Sequence, residues 1–459
     1  MQGTYESLKN QLGIAGDGVT GLEVSGADPV LPTKFALGEA AGAALAAQGA
    51  AAADLFHLRT DKAQGLSVDV QAAAASLISF MLLAHVEVDT PERDLSEPFT
   101  QLYRAGKSWV HLHGGFPHLA AGLKDLLGCE AETASIRKAV AKWDAEKLEA
   151  EIIERGLCGT RVLSPEEWRA SEQGQALADA PLVAIERIAE GAPQPLPKNA
   201  TRPLSGVRML DLTRVLAGPT CGRTLASHGA NVLRVDAPDA PSIEPFVLDT
   251  GHGKRSSFLD LSDDDDRAQL WALLSECDVF SQSYRPGVLD KRGLGATELA
   301  QMRPGIIYVE TNCFGQVGPW ASRPGWEQLA QSATGIAVRN GSASSPRMLP
   351  AAATDYITGY LAAAGVMLAL RKRAEEGGSY RVSVSLCRTA DWLMSLDPVG
   401  DESKQPGLDF DKLEPFTSES DTTRGALRHL GPVLQMSETA PRWEQVTGKL
   451  GRHEASWGG

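Results

Sequence analysis

The stretch GVRMLDLTRVLAGPTCGRTLASHGANVLRVDAP, Gly206 to Pro238, decides the fold. Two short apolar runs, VRMLDL (Val207 to Leu212) and NVLRVD (Asn231 to Asp236), flank a segment of helix length that opens at Gly218 and Pro219. Proline suits a first helical turn, where its missing N–H would have no partner anyway. Strand, helix and strand joined by short turns predict two parallel strands with a crossover helix. The alternation continues through SSFLDL (Ser256 to Leu261), DVFSQS (Asp278 to Ser283) and GIIYVE (Gly305 to Glu310). Between the first two of these, SDDDDRAQLWALLSEC reads as a helix capped by Ser262, with Asp263 to Asp266 at the positive end of its dipole. Helix-start electrostatics thus explain the acidic run, and no metal site is read from it. The expected class is α/β: a doubly wound, Rossmann-like parallel sheet in a large domain, with a smaller α+β module beside it.

Proline density sets the boundaries. EGAPQPLPKNATRPLSG (Glu190 to Gly206) disfavours both helix and ladder and reads as a semi-rigid linker. A polar stretch from Asp397 to Gly425 sets off the C-terminal end. The expected division is a tail over 1–30, a module over 31–194, a linker over 195–204, the sheet domain over 205–396 and a tail over 397–459. A repeat crosses this division. Leu58 to Phe80 parallels Leu370 to Leu396, each with a basic helix end, a Gly turn and a V-x-V strand entering another helix. Upstream, PTKFALG (Pro32 to Gly38) parallels AATDYITG (Ala352 to Gly359), after allowing a longer helix in the first copy. That pairing sets Lys34 against Asp355. Lysine is electrostatically wrong for a helix start, so the aspartate is read as specific to the second copy.

The chain has 459 residues, 43% hydrophobic and 22% charged, with a formal charge of −14. That charge opposes non-specific binding to nucleic acid or anionic membrane, since both present phosphate. Its six cysteines include no C-x-x-C pair and are expected as reduced thiols, without a zinc site or a disulfide frame. MQGTYESLKNQLG carries no signal-like region, and the longest apolar runs, Ala72 to Val86 and Gly359 to Leu370, are shorter than the roughly 20 residues of a span. A cytoplasmic protein is expected.

Open parallel sheets bind ligands past the carboxyl ends of their strands. No G-x-G-x-x-G and no P-loop occurs, so neither a dinucleotide nor a nucleotide triphosphate site is indicated. Cations gather at turns instead: Lys254 and Arg255 before one strand, and Arg285, Lys291 and Arg292 after another. In an acidic chain they suit a phosphate-bearing ligand. In MLPAAATDYITGYLAAAG (Met348 to Gly365), Asp355 opens a small-residue helix, as either a cap or a chemical group.

GVRMLDLTRVLAGPTCGRTLASHGANVLRVDAP, GKRSSFLDL, DVFSQSYRPGVLDKRGL, IIYVETNCFGQVGPW, GWEQLAQSATG and DYITGYLAAAGVMLALRKRAEEGGSYRVSVSL occur in that order. Over about Leu204 to Leu396 the chain resembles the family III CoA-transferases, the CaiB/BaiF group. Residues from about Pro32 to Pro193, with YRAGKSWVHLHGGFPHL and GLCGTRVLSPEEW, resemble the later half of that family, so its halves stand in inverted order. The resemblance implies that Asp355 attacks an acyl-CoA thioester and comes to carry CoA as an aspartyl thioester, which an acceptor carboxylic acid then resolves. An ionised Asp355, helped by the helix N-terminus, would be needed. Glu327 falls where some members carry a supporting glutamate. Leu216, Ala217, Lys254, Arg255, Leu259, Arg285 and Lys291 are the candidates for holding CoA. CoA is then a substrate, with no permanent cofactor, and a homodimer is expected.

The family's racemases place a histidine where Trp326 stands here. An acyl-CoA racemase or isomerase would need a second base, and His111 or His113 from the first half are the histidines considered for it. Ala237 and Ser283 replace a basic residue and an asparagine of the family's pattern, and HGG (His113 to Gly115) is a poor substitute for its Gly-rich loop. The inverted halves and the missing Gly-rich loop leave a non-catalytic, CoA-binding or assembly paralogue as a third reading.

Overall fold

The computed structural model describes residues 1–86, 97–198, 200–399, 407–422 and 425–458. Its main sheet contains β1 (Ala184–Ala189), β2 (Arg208–Asp211), β3 (Asn231–Asp236), β4 (Lys254–Phe258), β5 (Val279–Gln282), β6 (Ile307–Asn312) and β7 (Ser379–Ser385). They lie in the order 4-3-2-5-6-7-1, and all are parallel except β1, which pairs antiparallel with β7. From β2 the chain winds outward to β4, then returns to the centre and winds the other way through β5. The sheet is doubly wound, as the alternation of strands and helices predicts. Parallel strands covered on both faces read as apolar runs, and β2, β5 and β6 are buried almost throughout.

Two boundaries differ from the sequence reading. β4 starts at Lys254, two residues before SSFLDL, because the pairing with β3 runs from Lys254 opposite Val232 to Phe258 opposite Asp236. The acidic helix is Asp264–Glu276, and its cap is Asp263, whose carboxylate accepts the N–H groups of Asp265 and Asp266. Ser262 instead donates to Asp260.

The helices that place the site are α1 (Leu37–Thr60), α2 (Ala217–Ser227), α3 (Glu327–Ala333), α4 (Ala353–Glu376) and α5 (Leu386–Ser395). Residues of α4 are apolar or small nearly all round, so it runs through the core against both α1 and α2. It is long and apolar enough to cross a membrane, yet its apolar window is wholly buried in protein. The small residues permit the close approach. A Cβ on Gly359 would lie 2.6 Å from the Ala217 carbonyl oxygen. Gly359→Ala is therefore expected to destabilise the fold by about 1–3 kcal/mol, read as a lower midpoint of chemical unfolding.

Several contacts cross the divisions expected from composition. β1, from the first segment, closes the edge of the main sheet, and α1 packs on α4 in one shared core. The Pro-rich stretch is clasped by Arg59, whose guanidinium donates to the carbonyls of Pro197, Pro203 and Ser205. Residues 445–457 run beside the open edge of β4. There Gly253 N–H donates to the Gln445 carbonyl at 2.8 Å and His453 N–H to that of Ser256 at 2.8 Å. An edge strand is a template for unwanted pairing, and this segment covers it.

Candidate active site

The winding reverses between β2 and β5, and a ligand crevice is expected outside the carboxyl ends of those strands. A cleft of about 370 Å³ opens there. One wall follows β2 and holds Arg214, Val215, Ala217 and Gly218; a second follows β5 and holds Ser283, Tyr284 and Arg285. The end of β6 adds Thr311, Asn312 and Cys313, and the start of α3 adds Trp326 and Glu327. Asp355 reaches the cleft from α4. The first segment closes the opposite side with Phe116, His118, Leu119 and Cys158. Val215 has φ 70°, a conformation that β-branched residues rarely adopt, so backbone strain of about 1–3 kcal/mol sits in the cleft wall.

Asp355 is the third residue of α4 and 6% exposed. Its carboxyl group has no hydrogen-bond partner among the described residues. Glu327 opens α3 and is equally buried, but it is well supplied with donors. Gln331 Nε2 lies 2.7 and 2.8 Å from its two oxygens, and the Thr354 N–H and hydroxyl lie 3.3 and 3.2 Å from Oε1. Burial pushes Glu327 up to about 7, against the pull of these donors. Burial also raises Asp355 well above the usual carboxylate range, and the charge of Glu327 raises it further. The expectation that the helix N-terminus keeps Asp355 ionised is corrected here, because desolvation outweighs the dipole in the free protein.

The repeat also reads differently in space. α1 and α4 are both 24 residues long, each follows an uncapped alanine, and each leads into a strand and another helix. Counting from the helix starts, Glu39 matches Asp355. Lys34 lies before the helix, with its ammonium donating to the carbonyls of Arg339 and Gly341. The first copy thus keeps a carboxylate at the matching position, and the lysine contrast does not hold.

Of the residues singled out from sequence, Asp355, Glu327, Ala217 and Arg285 meet in the cleft. Leu216 is buried behind Ala217 in the main core. Lys254 is not free to hold a ligand: its ammonium lies 2.7 Å from Asp211 and 2.7 Å from the Pro219 carbonyl, wholly buried. Arg255 points to the other side, donating to the Ser456 carbonyl at 2.6 Å. Leu259 packs in the core under the helix Asp264–Glu276. Lys291 is exposed in the short turn Asp290–Arg292 and does not line the cleft.

The histidines are redistributed as well. His111 lies 2.8 Å from the Ser332 hydroxyl, and burial pushes it down to about 3. His113 stacks on Trp326 at 4.3 Å and is pushed down to about 4. Neither lines the cleft, whereas His118 does. Arg214 lies 4.9 Å over the Phe116 ring, and Arg323 lies 4.0 Å over Trp320, 3.8 Å from Glu149. Arg214 could have been found from the rule about strand carboxyl ends, since it stands three residues after β2. His118 carries no such signal, because it arrives from the distant first segment, while Arg323 stands late in the connection from β6 to α3.

The CoA-transferase family III sequence model matches residues 10–187 and 204–409. An acetyl-coenzyme A transferase, nodX, of Hypoxylon pulicicidum is 36% identical over 64% of this chain and 54% of its own length. An acyl-CoA transferase of Gibberella moniliformis is 38% identical over 65% of this chain and 56% of its own. The chain spans about half the length of the curated relatives it matches. Among solved structures, Rv3272 of Mycobacterium tuberculosis is 30% identical with a TM-score of 0.40, over 42% of this chain and 57% of that one. The family match covers both segments that enclose the cleft, and the chain belongs to CoA-transferase family III.

Proposed function

We propose that this chain moves CoA from an acyl-CoA to a carboxylic acid, with Asp355 as the covalent nucleophile. The observation that carries the reading is a buried carboxyl group without a hydrogen-bond partner among the described residues, opening onto a cleft at the reversal of the sheet. The family and the transferase names of its relatives support it. An Asp355 oxygen attacks the thioester carbon, the C–S bond breaks and the CoA thiolate leaves, giving a mixed anhydride. The thiolate then attacks the Asp355 carbonyl and releases the first carboxylate, so CoA is held as an aspartyl thioester. The acceptor carboxylate attacks that carbonyl and expels the thiolate. The thiolate finally attacks the new acyl carbon and frees Asp355. Each step keeps the thioester's free energy only if water stays out, and the buried position of the carboxyl group serves that end.

The test is to incubate the protein with acyl-CoA donors and weigh it intact. A CoA adduct in wild type that maps to a peptide containing Asp355 supports the reading; no adduct with any donor overturns it. Arg285, at the cleft rim, is expected to meet a CoA phosphate. Arg285→Ala should raise the apparent KM for the acyl-CoA about tenfold with little change in kcat, checked by steady-state kinetics. The same reading includes a cytoplasmic homodimer, which fractionation and light scattering test.

One observation favours a second reading. His118 lines the cleft and could serve as the second base of an acyl-CoA isomerase. Deuterium uptake at the acyl α-carbon without any acceptor acid would support it. Binding of CoA with neither adduct nor exchange would support a non-catalytic paralogue.

A further inference from the structure

The side chain of Gln331 can lie only one way round. The Leu349 N–H donates to its Oε1 at 2.8 Å, and a backbone N–H cannot accept. Its Nε2 must therefore face Glu327, four residues earlier on the same face of α3, where it bridges both carboxyl oxygens. The Thr354 N–H, which likewise can only donate, points at the same group. These fixed donors suit a carboxylate, while neighbouring Asp355 receives no donor among the described residues. Gln331 is 1% exposed and Glu327 4%, so water does not compete for these bonds.

We propose that Gln331 is a positioning residue that fixes Glu327 as the charged member of the carboxyl pair, leaving the proton on Asp355 until the acyl-CoA arrives. Resting on the transferase reading, this assigns the activating step: once the acyl-CoA brings the two carboxyl groups within hydrogen-bond reach, the Asp355 O–H bond breaks, an O–H bond forms on Glu327, and the Asp355 oxygen so freed attacks the thioester. A protonated resting nucleophile is less exposed to side reactions in the empty cleft.

Other titratable groups around the pair are few. Cys313 lies near Asp355 from the end of β6, with Cys158 and Cys387 beside it; burial raises Cys158 and Cys313 above their usual range, so they stay neutral. His111 and His113 sit behind α3 and are kept neutral by burial. Arg214, Tyr284, Arg285, Arg323 and His118 line the cleft. Within the pair, burial places Glu327 at about 7 and raises Asp355 well above the usual carboxylate range.

The test is a pH titration of the protein carrying ¹³C-carboxyl Asp and Glu, followed by NMR, with Glu327→Gln and Asp355→Asn to assign the two signals. In wild type the lower of the two steps should appear on Glu327 while Asp355 stays protonated through it. In Gln331→Met the Glu327 step should rise by about one pH unit, and in Thr354→Val, which removes only a hydroxyl donor, by a smaller amount in the same direction. The acid limb of adduct formation should move with it, so that Gln331→Met recovers its rate at higher pH. A purely structural role would lower the rate at every pH and leave the limb in place. A lower step on Asp355 in wild type, or an unmoved Glu327 step in both variants, overturns the assignment. The NMR titration needs no turnover, so absence of an adduct overturns the transferase reading alone.

Discussion

Asp355→Asn is expected to lower CoA transfer by at least about a thousandfold and to abolish the CoA adduct, while acyl-CoA binding stays within about threefold of wild type. An amide has nearly the shape of a carboxylic acid but cannot form the mixed anhydride. The variant should also be no less stable than wild type. Both Asp355 and Glu327 bind protons more tightly in the folded chain than when exposed, because burial penalises their charged forms. A group of that kind contributes stability that is fully present below its unfolded value near 4 and is lost as pH rises through its folded value. Asparagine escapes the Asp355 part of this loss, so the melting temperature of Asp355→Asn should exceed that of wild type by a margin that widens with rising pH. An inactive but better-folded variant separates chemistry from architecture. Residual transfer within tenfold of wild type would remove Asp355 from the mechanism.

What the sequence revealed followed from short-range patterns. β3 was bounded to the residue, because Asn231 to Asp236 is an apolar run between turn signals and pairs on both sides. Asp355 stood out at the start of a small-residue helix, but its role, and the choice of Glu327, came from the family resemblance. The sequence failed where a role depends on the far end of a contact. Lys254 and Arg255 are adjacent cations before a strand, yet their side chains leave in opposite directions, as the two-residue period of a strand requires. One meets Asp211, from β2, and the other the C-terminal segment. Net charge and turn position cannot distinguish a buried ion pair from a phosphate contact. The register between α1 and α4 was missed for a related reason. The pairing of Lys34 with Asp355 required a longer first helix, whereas both helices have one length and Glu39 takes the matching place. His118 became visible only when the first segment closed over the sheet.

Lys254→Met is expected to destabilise the fold by about 3–5 kcal/mol, the largest stability effect predicted for a single side chain here. Lys254 is 1% and Asp211 0% exposed at the side chain, 2.7 Å apart, beneath the first turns of α2. Burial lowers the proton affinity of the ammonium and Asp211 holds it up, so the pair stands on mutual attraction and on the Pro219 carbonyl. Methionine fills the volume but leaves Asp211 without its cation, with Thr213 alone among the described residues to donate to it. Lys254→Met combined with Asp211→Asn should recover much of the loss, because the double variant contains no orphaned charge. Both effects would be read from chemical unfolding midpoints. In protein that has folded, the apparent KM for acyl-CoA should stay within about twofold of wild type, since Lys254 lies outside the cleft. A ligand-binding lysine would show the reverse: normal stability with weakened CoA affinity. That outcome would mean the ammonium leaves Asp211 when CoA binds, and the ion pair would then belong to the resting state alone.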